Sequence, residues 1–162
     1  MINKVLVAVD ESEKSRKALL FSANLVSSTS SELIILTVES PVSSSQLGPG
    51  GSELGQGTGL GINRAQRVSE TYDAVEEELD EKHREILSDS LELVKTSFPK
   101  INVSSLLSKG RVSKTIVNVA EENDVNLIVM GCGGKKGLKK LLLGSVSKQV
   151  LEDTSKSVLI VK

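Results

Sequence analysis

The chain has 162 residues, 38% of them hydrophobic and 25% charged, with a net charge of −1. That length and balance suit one soluble globular domain with a real core. The near-zero charge argues against a generic nucleic-acid binder. Aromatics make up 2% of the chain, which leaves little for a base-stacking platform. The single cysteine permits no internal disulfide and fits a reducing compartment.

The N-terminal stretch "KVLVAV" (4–9) is an apolar run that ends at Asp10. It is too short to span a bilayer and no small-residue cleavage site follows it, so it reads as a first strand in a cytoplasmic protein without membrane attachment. Residues 13–28 place Leu19, Ala23 and Val26 on one helical face. In "DESE", the plain reading of Asp10 is the cap of that helix, with Glu13 as its capping-box partner; the preferred reading, compatible with it, is a ligand contact, since Asp10 stands at a strand end. "ELIILTV" (32–38) is the second strand.

Residues 40–64 break the rhythm. "SPVSSSQLGPGGSELGQGTGLG" is rich in serine and glycine and nearly without apolar content, so it cannot offset its ordering entropy by burial. It reads as a flexible insertion, with a ligand lid as the sharper alternative. The glycines of "GQGTGLG" lack the strand–turn–helix setting of a dinucleotide fingerprint.

A long helix over roughly 69–98 carries a stripe of Val75, Leu79, Ile86, Leu91, Val94 and Phe98, and Phe98-Pro99 stops it. Its 75–85 segment is a charged, solvated face. His83, beside the stripe, has no ligand-spaced partner and reads as a half-buried structural residue. "INVSSLL" (101–107) alternates more than the other strands, which suits an edge. Val112, Ile116, Val119 and Ala120 mark a third helix. "NLIVM" (126–130) is the fourth strand, Val146, Val150 and Leu151 mark the fourth helix, and "SVLIV" (157–161) is the fifth strand. Strands one, two, four and five are nearly continuous in apolar residues, as strands covered on both faces are. The order βαβαβαβαβ predicts a single-domain α/β fold with an open five-stranded parallel sheet and helices on both faces. Such sheets bind ligands beyond the carboxyl ends of their strands, where Asp10 and Gly131 fall.

The segment after strand four, "GCGGKKGLKKLLLGSVSKQV", places Gly131, Gly134, Gly144 and Ser145 in the spacing G-x2-G-x9-G-S. Glycine lets the backbone take positive φ and approach a ligand closely, and successive main-chain amides in such a turn form an anion nest. Gly144-Ser145 then opens a helix whose first amides lack helical partners. The hydroxyls of Ser145 and Ser147 add donors, and Lys135, Lys136, Lys139 and Lys140 offer anion steering or direct phosphate contact. It is not a Walker A loop, since no Gly-Lys-Ser/Thr closes it. The plain alternative is a strand-to-helix loop with Ser145 as N-cap. Cys132, between these glycines, reads as a small buried filler.

On "KVLVAVDES", "GCGGKKGLKKLLLGSVSKQVL" and "SVLIV", the chain resembles the universal stress protein family nearly end to end. The resemblance implies a Rossmann-like or flavodoxin-like sheet of order 3-2-1-4-5, usually dimeric, in the ATP-binding branch. Carried over by position, it places Asp10 near the adenosine and the backbone of Val9 and Val38 near the adenine. It places Gly131, Gly134, Gly144, Ser145, Val146 and Ser147 on ribose and phosphates. A Mg2+ or Mn2+ ion would come with the phosphates, and no protein metal site is implied. Three positions depart from the family pattern: Glu11 stands where glycine is frequent, Thr37 where histidine is common, and Lys156-Ser157 where proline is frequent.

In that strand order "VLIV" (158–161) is an exposed edge, a hazard that pairing with a second copy across a two-fold removes; coverage by the 40–64 insertion is the alternative. The functional reading is an ATP-dependent regulatory or stress-response module, serving a protein partner not named by the sequence and without efficient catalysis. Ser145 has no adjacent histidine, and His83 falls on the wrong side of the fold by this topology. A nucleotide hydrolase or transferase would draw on Asp10, Glu11 or Glu39 at strand ends. A phosphorylated receiver would draw on Asp10, Glu11 and Lys109.

Overall fold

The computed structural model describes residues 2–41, 61–133 and 143–162, and the side chains of 61–72 lie outside that description. The elements are β1 (Lys4–Ala8), α1 (Glu13–Thr29), β2 (Glu32–Glu39), α2 (Gly61–Ser97), β3 (Asn102–Lys109), α3 (Val112–Glu122), β4 (Leu127–Gly131), α4 (Ser145–Asp153) and β5 (Ser157–Val161). The five strands form one parallel sheet in the order β3-β2-β1-β4-β5.

The alternation of the strands divides the core. Val5, Val7, Leu33, Ile35, Leu127 and Val129 point to one face, where Leu19, Ala23 and Val26 of α1 and Val94 of α2 cover them. Leu6, Ile34, Leu36, Ile128 and Met130 point to the other, under Ile116, Val119 and Ala120 of α3 and Val150 of α4. A strand with a helix on each side has no solvated face, which is why β1, β2 and β4 read as unbroken apolar runs. β5 departs from that expectation: although apolar, its residues are half-buried or exposed, because it is the last strand and covers only part of each helix layer. β3, the other edge, shows the anticipated mixture of exposed and half-buried positions.

Two boundaries differ from the sequence reading. Ser12, not Asp10, is the N-cap of α1: its φ and ψ are −78° and 147°, and its Oγ accepts a hydrogen bond from the amide of Ser15 at 3.1 Å. The Asp10–Glu13 capping box does not form, because Asp10 sits two residues before the cap. The second helix begins at Gly61, inside the segment read as insertion, and runs for 37 residues to Ser97. Its first turns carry Ile62, Ala65 and Val68 at helical spacing, but they follow directly on the glycine-rich run and read with it. The rest of the insertion, residues 42–60, lies outside the described residues. Among the described residues no helix is long and apolar enough to cross a membrane.

β1 is central, and Leu6 is fully buried beneath the α3–α4 layer. Leu6→Ala is expected to cost about 2–5 kcal/mol of stability, the usual range for a large-to-small change at such a site. Urea denaturation measures it, and a loss below about 1 kcal/mol would mean that the core there is less tightly packed than described.

Candidate functional site

At the carboxyl ends of β1, β2 and β4 the sheet opens into a cavity of about 730 Å³. β1 is the switch point, since the crossover through α1 leads to β2 on one side while β4 pairs on the other. Val9, Asp10, Val38, Gly131, Gly144, Ser145, Val146 and Ser147 all line the cavity, so eight of the nine site residues read from the sequence converge. The ninth, Gly134, lies outside the described residues, as do Lys135, Lys136, Lys139 and Lys140. Ser12, Ser15, Ser40, His83 and Gly133 also line it and were not anticipated.

The glycines act mainly by letting backbone meet backbone. A Cβ on Gly131 would fall 2.9 Å from the carbonyl carbon of Lys14 and 3.0 Å from the amide nitrogen of Ser15. Gly131 therefore leaves room for the first turn of α1 against the tip of β4. Gly133 takes φ +45°, a left-handed value that favours glycine. It packs on Gly144, whose own Cβ would stand 3.0 Å from the Cα of Gly133. The amide of Gly144 donates to the carbonyl of Cys132 at 3.0 Å, and the amide of Cys132 donates to Val161 at 2.8 Å. Cys132 is buried, as a filler residue should be.

This closure delivers the start of α4 to the cavity. Gly144, not Ser145, is the N-cap, and no side chain caps the helix. The amide of Lys148 is the first to bond within the helix, to Gly144 at 2.9 Å. The amides of Ser145, Val146 and Ser147 precede it and have no helical partner, in the positive end of the helix dipole. The Ser147 hydroxyl does not add a free donor: it is buried and donates to the carbonyl of Gly131 at 3.1 Å. Ser145 is exposed at the mouth.

At the other end, β1 stops before β2 does. The amide of Val9 donates to the carbonyl of Leu36 at 2.8 Å. Strand alternation turns the amide and carbonyl of Val38 to the same side as those of Leu36, where β1 has already ended. Thr37, buried, points its hydroxyl toward the carbonyl of Val9 at 3.5 Å. Asp10 lines the cavity, its amide donating to Ser15 Oγ at 2.8 Å and its Oδ1 accepting from the amide of Ser12 at 2.9 Å. The adjacent Glu11 does not add free charge, because Lys82 of α2 pairs with it.

His83 corrects the sequence reading most plainly. Although half-buried as expected, it is on the cavity and not across the fold from it. Ile86, Leu87, Leu91 and Val94 pack α2 on the sheet, and the Lys82–Glu11 ion pair joins it to the turn after β1 one residue from His83. No helical-periodicity argument fixes where a long helix lies along its sheet.

Beside the cavity, Glu39 ends β2 with a buried side chain (3% exposed). Lys109 at the end of β3 approaches it at 3.4 Å and also reaches Asp80 at 2.9 Å and Glu76 at 3.4 Å. Burial pushes the Glu39 carboxyl above its ordinary range, and a hydrogen bond shared with Asp80 and the charge there add to the effect against the pull of Lys109. Asp80 is lowered in turn, by that hydrogen bond first and then by Lys109. Lys109 is raised, chiefly by its hydrogen bond to Asp80. The arrangement is two carboxylates, Glu39 and Asp80, meeting one ammonium. A larger groove, about 930 Å³, follows α2, but the described residues lining it are mostly carboxylates, among them Asp73, Glu77, Glu81 and Glu85. Its charge repels phosphate, and it is not the candidate site.

An open parallel sheet with a cleft over the tips of its central strands, floored by main-chain amides, defines a doubly wound α/β domain of the ligand-binding kind. The chain belongs to the universal stress protein family, whose model matches residues 1–162. Universal stress protein YxiE of Bacillus subtilis is 34% identical over 169 aligned residues, covering the whole of both chains. The solved structure of MJ0577 from Methanocaldococcus jannaschii superposes with a TM-score of 0.70 at 26% identity, over 100% of this chain and 96% of that one. A universal stress protein from Archaeoglobus fulgidus, solved in complex with dAMP, shares the fold at a TM-score of 0.64 and 19% identity, over 100% of this chain and 98% of that one.

The raised Glu39 has a consequence for stability. Folding holds a proton that the unfolded chain releases, so this contribution is complete below about pH 4.5 and falls as pH rises through the raised value. Glu39→Gln keeps the shape without the titration, so its melting temperature is expected to decline less than the wild type's between pH 5 and 8. Parallel curves for the two proteins would contradict this.

Proposed function

We propose that the chain binds ATP in the cavity over β1, β2 and β4 and acts as a nucleotide-dependent regulatory or stress-response module without efficient catalysis. The observation that carries this reading is the first turn of α4, whose unpartnered amides at Ser145, Val146 and Ser147 face the cavity beside the Gly133–Gly144 contact. An anion there meets donors that move little on binding and a helix dipole of the right sign. The base belongs at the opposite end, where Val38 presents an amide and a carbonyl beside Val9 and Asp10 lines the wall. The cavity's volume of about 730 Å³ suits a ligand of nucleotide size. That a relative with this fold was solved with dAMP supports the choice of an adenine nucleotide. Among the described residues no group of three or more His, Cys, Asp or Glu could hold a metal; a Mg2+ or Mn2+ ion would accompany the phosphates.

The carboxylates that an enzymatic reading requires are engaged elsewhere. Glu11 pairs with Lys82, Glu39 with Lys109 and Asp80, and Asp10 with the amide of Ser12. The receiver reading weakens for the same reason, since Lys109 is held by Glu39, Asp80 and Glu76 and not by Asp10 or Glu11. The protein partner that reads the bound state is a question for capture experiments with and without ATP. The same proposal includes a homodimer in the cytoplasm, formed through β5, whose apolar strand lies at the sheet's edge with no neighbour beyond it among the described residues.

Freshly purified protein is expected to release ATP on denaturation, identified by mass, or to take it up when supplied. Gly144→Val drives a side chain into Gly133 and is expected to abolish uptake while the fold's circular dichroism persists; normal uptake by this variant would defeat the assignment. Sedimentation equilibrium is expected to give about twice the protomer mass of 17.3 kDa, and a protomer mass at every concentration would remove the dimer from the proposal.

A further inference from the structure

We infer that His83 is a specificity-determining residue of this cavity, accepting a hydrogen bond through Nε2 from a donor on the nucleoside part of the ligand. The inference deepens the proposed function and rests on it. Three observations carry it. His83 lines the same cavity as Val38, Asp10 and the glycine corner, although it comes from α2 and lies outside the sequence pattern that marks the rest of the site. Its Nδ1 lies 2.6 Å from the carbonyl oxygen of Leu79. A carbonyl can only accept, so Nδ1 carries the proton in this bond, and in the neutral ring Nε2 is left as an acceptor. Because Nδ1 is turned back on its own helix, the Nε2 edge is what the ring offers to the cavity. The Lys82–Glu11 ion pair, one residue away, joins this stretch of α2 to the turn after β1, and the bond to Leu79 orients the ring.

The chemistry of the cavity then sorts by end. The α4 end supplies donors and the end of β4 closes by backbone alone, which suits phosphate oxygens. An acceptor suits no ionised phosphate. It suits an N–H or O–H group, and on an adenine nucleotide those are the exocyclic amine and the ribose hydroxyls. His83 therefore belongs to the nucleoside, and it favours a ligand with a donor at that point over one with an acceptor.

The test is calorimetric titration of wild type, His83→Leu and His83→Gln with ATP, inosine triphosphate, 2′-deoxy-ATP and 3′-deoxy-ATP. His83→Leu is expected to weaken ATP about tenfold, the scale of one net hydrogen bond. His83→Gln, which can again present an acceptor, is expected to recover most of that loss. The decisive readout is the analogue series: the leucine penalty should vanish for the one analogue that lacks the donor His83 meets, inosine if the amine, a deoxy form if a hydroxyl. A merely structural role would weaken all four ligands alike, and that result would overturn the inference, as would ATP affinity within about twofold of wild type in His83→Leu. If Gly144→Val loses ATP while His83→Leu keeps it, the site stands and this inference falls. If the wild type takes up none of the four, both fall.

Discussion

The tip of β4 admits no side chain. A Cβ at Gly131 would enter the first turn of α1, and one at Gly144 would enter Gly133. Around that constraint two helix starts and one strand end approach at backbone distance, and the Cys132–Gly144 hydrogen bond closes the gap. Everything the cavity offers to an anion depends on it. Were α4 to begin even a few ångströms further out, its free amides would face solvent, where water satisfies them as well as any ligand.

The rest of the fold serves to bring unequal strand ends to one level. β1 is buried on both faces and stops at Ala8, while β2 continues to Glu39. The overhang leaves Val38 with main-chain groups that no strand pairs. Unpaired main chain is costly in a core and useful at a rim, where a ligand can complete the ladder. The same overhang carries Glu39 into the company of Lys109 and Asp80, a buried acid whose charge the Lys109 ammonium offsets. That cluster also joins α2 to the ends of β2 and β3. The helix is thus anchored at two places near the cavity, by Lys82 on Glu11 and by Asp80 on Lys109.

The three departures from the family pattern are accommodated differently. Glu11 is neutralised by Lys82 rather than left to repel phosphate. Thr37 is buried and turned toward Val9, filling space with a smaller side chain than histidine. Lys156 has its amide bonded to the hydroxyl of Thr154 at 3.1 Å, so a side-chain turn stands where proline is frequent. A negative residue beside the ligand region is tolerable when its partner lies on another element, a circumstance no local reading reveals.

The order of strands and helices was legible in the residues because it rests on local rules. Apolar runs such as "ELIILTV" and 3.6-residue stripes such as Ile116, Val119 and Ala120 arise from the same burial that the fold shows. Gly131 and Gly144 follow a local rule too, since each stands where an added Cβ would meet backbone at 2.9–3.0 Å. What tertiary structure alone decided is which groups meet. Gly133 takes the left-handed turn beside the spaced motif, Ser147 spends its proton on Gly131, Ser12 caps where Asp10 was expected, and His83 arrives from a helix whose position along the sheet no periodicity encodes. The physical reason is the same in each case: a repeat along the chain fixes which face of an element is buried, but contacts between elements depend on where each helix slides and ends, and those are set by ion pairs and backbone fits between residues far apart in sequence.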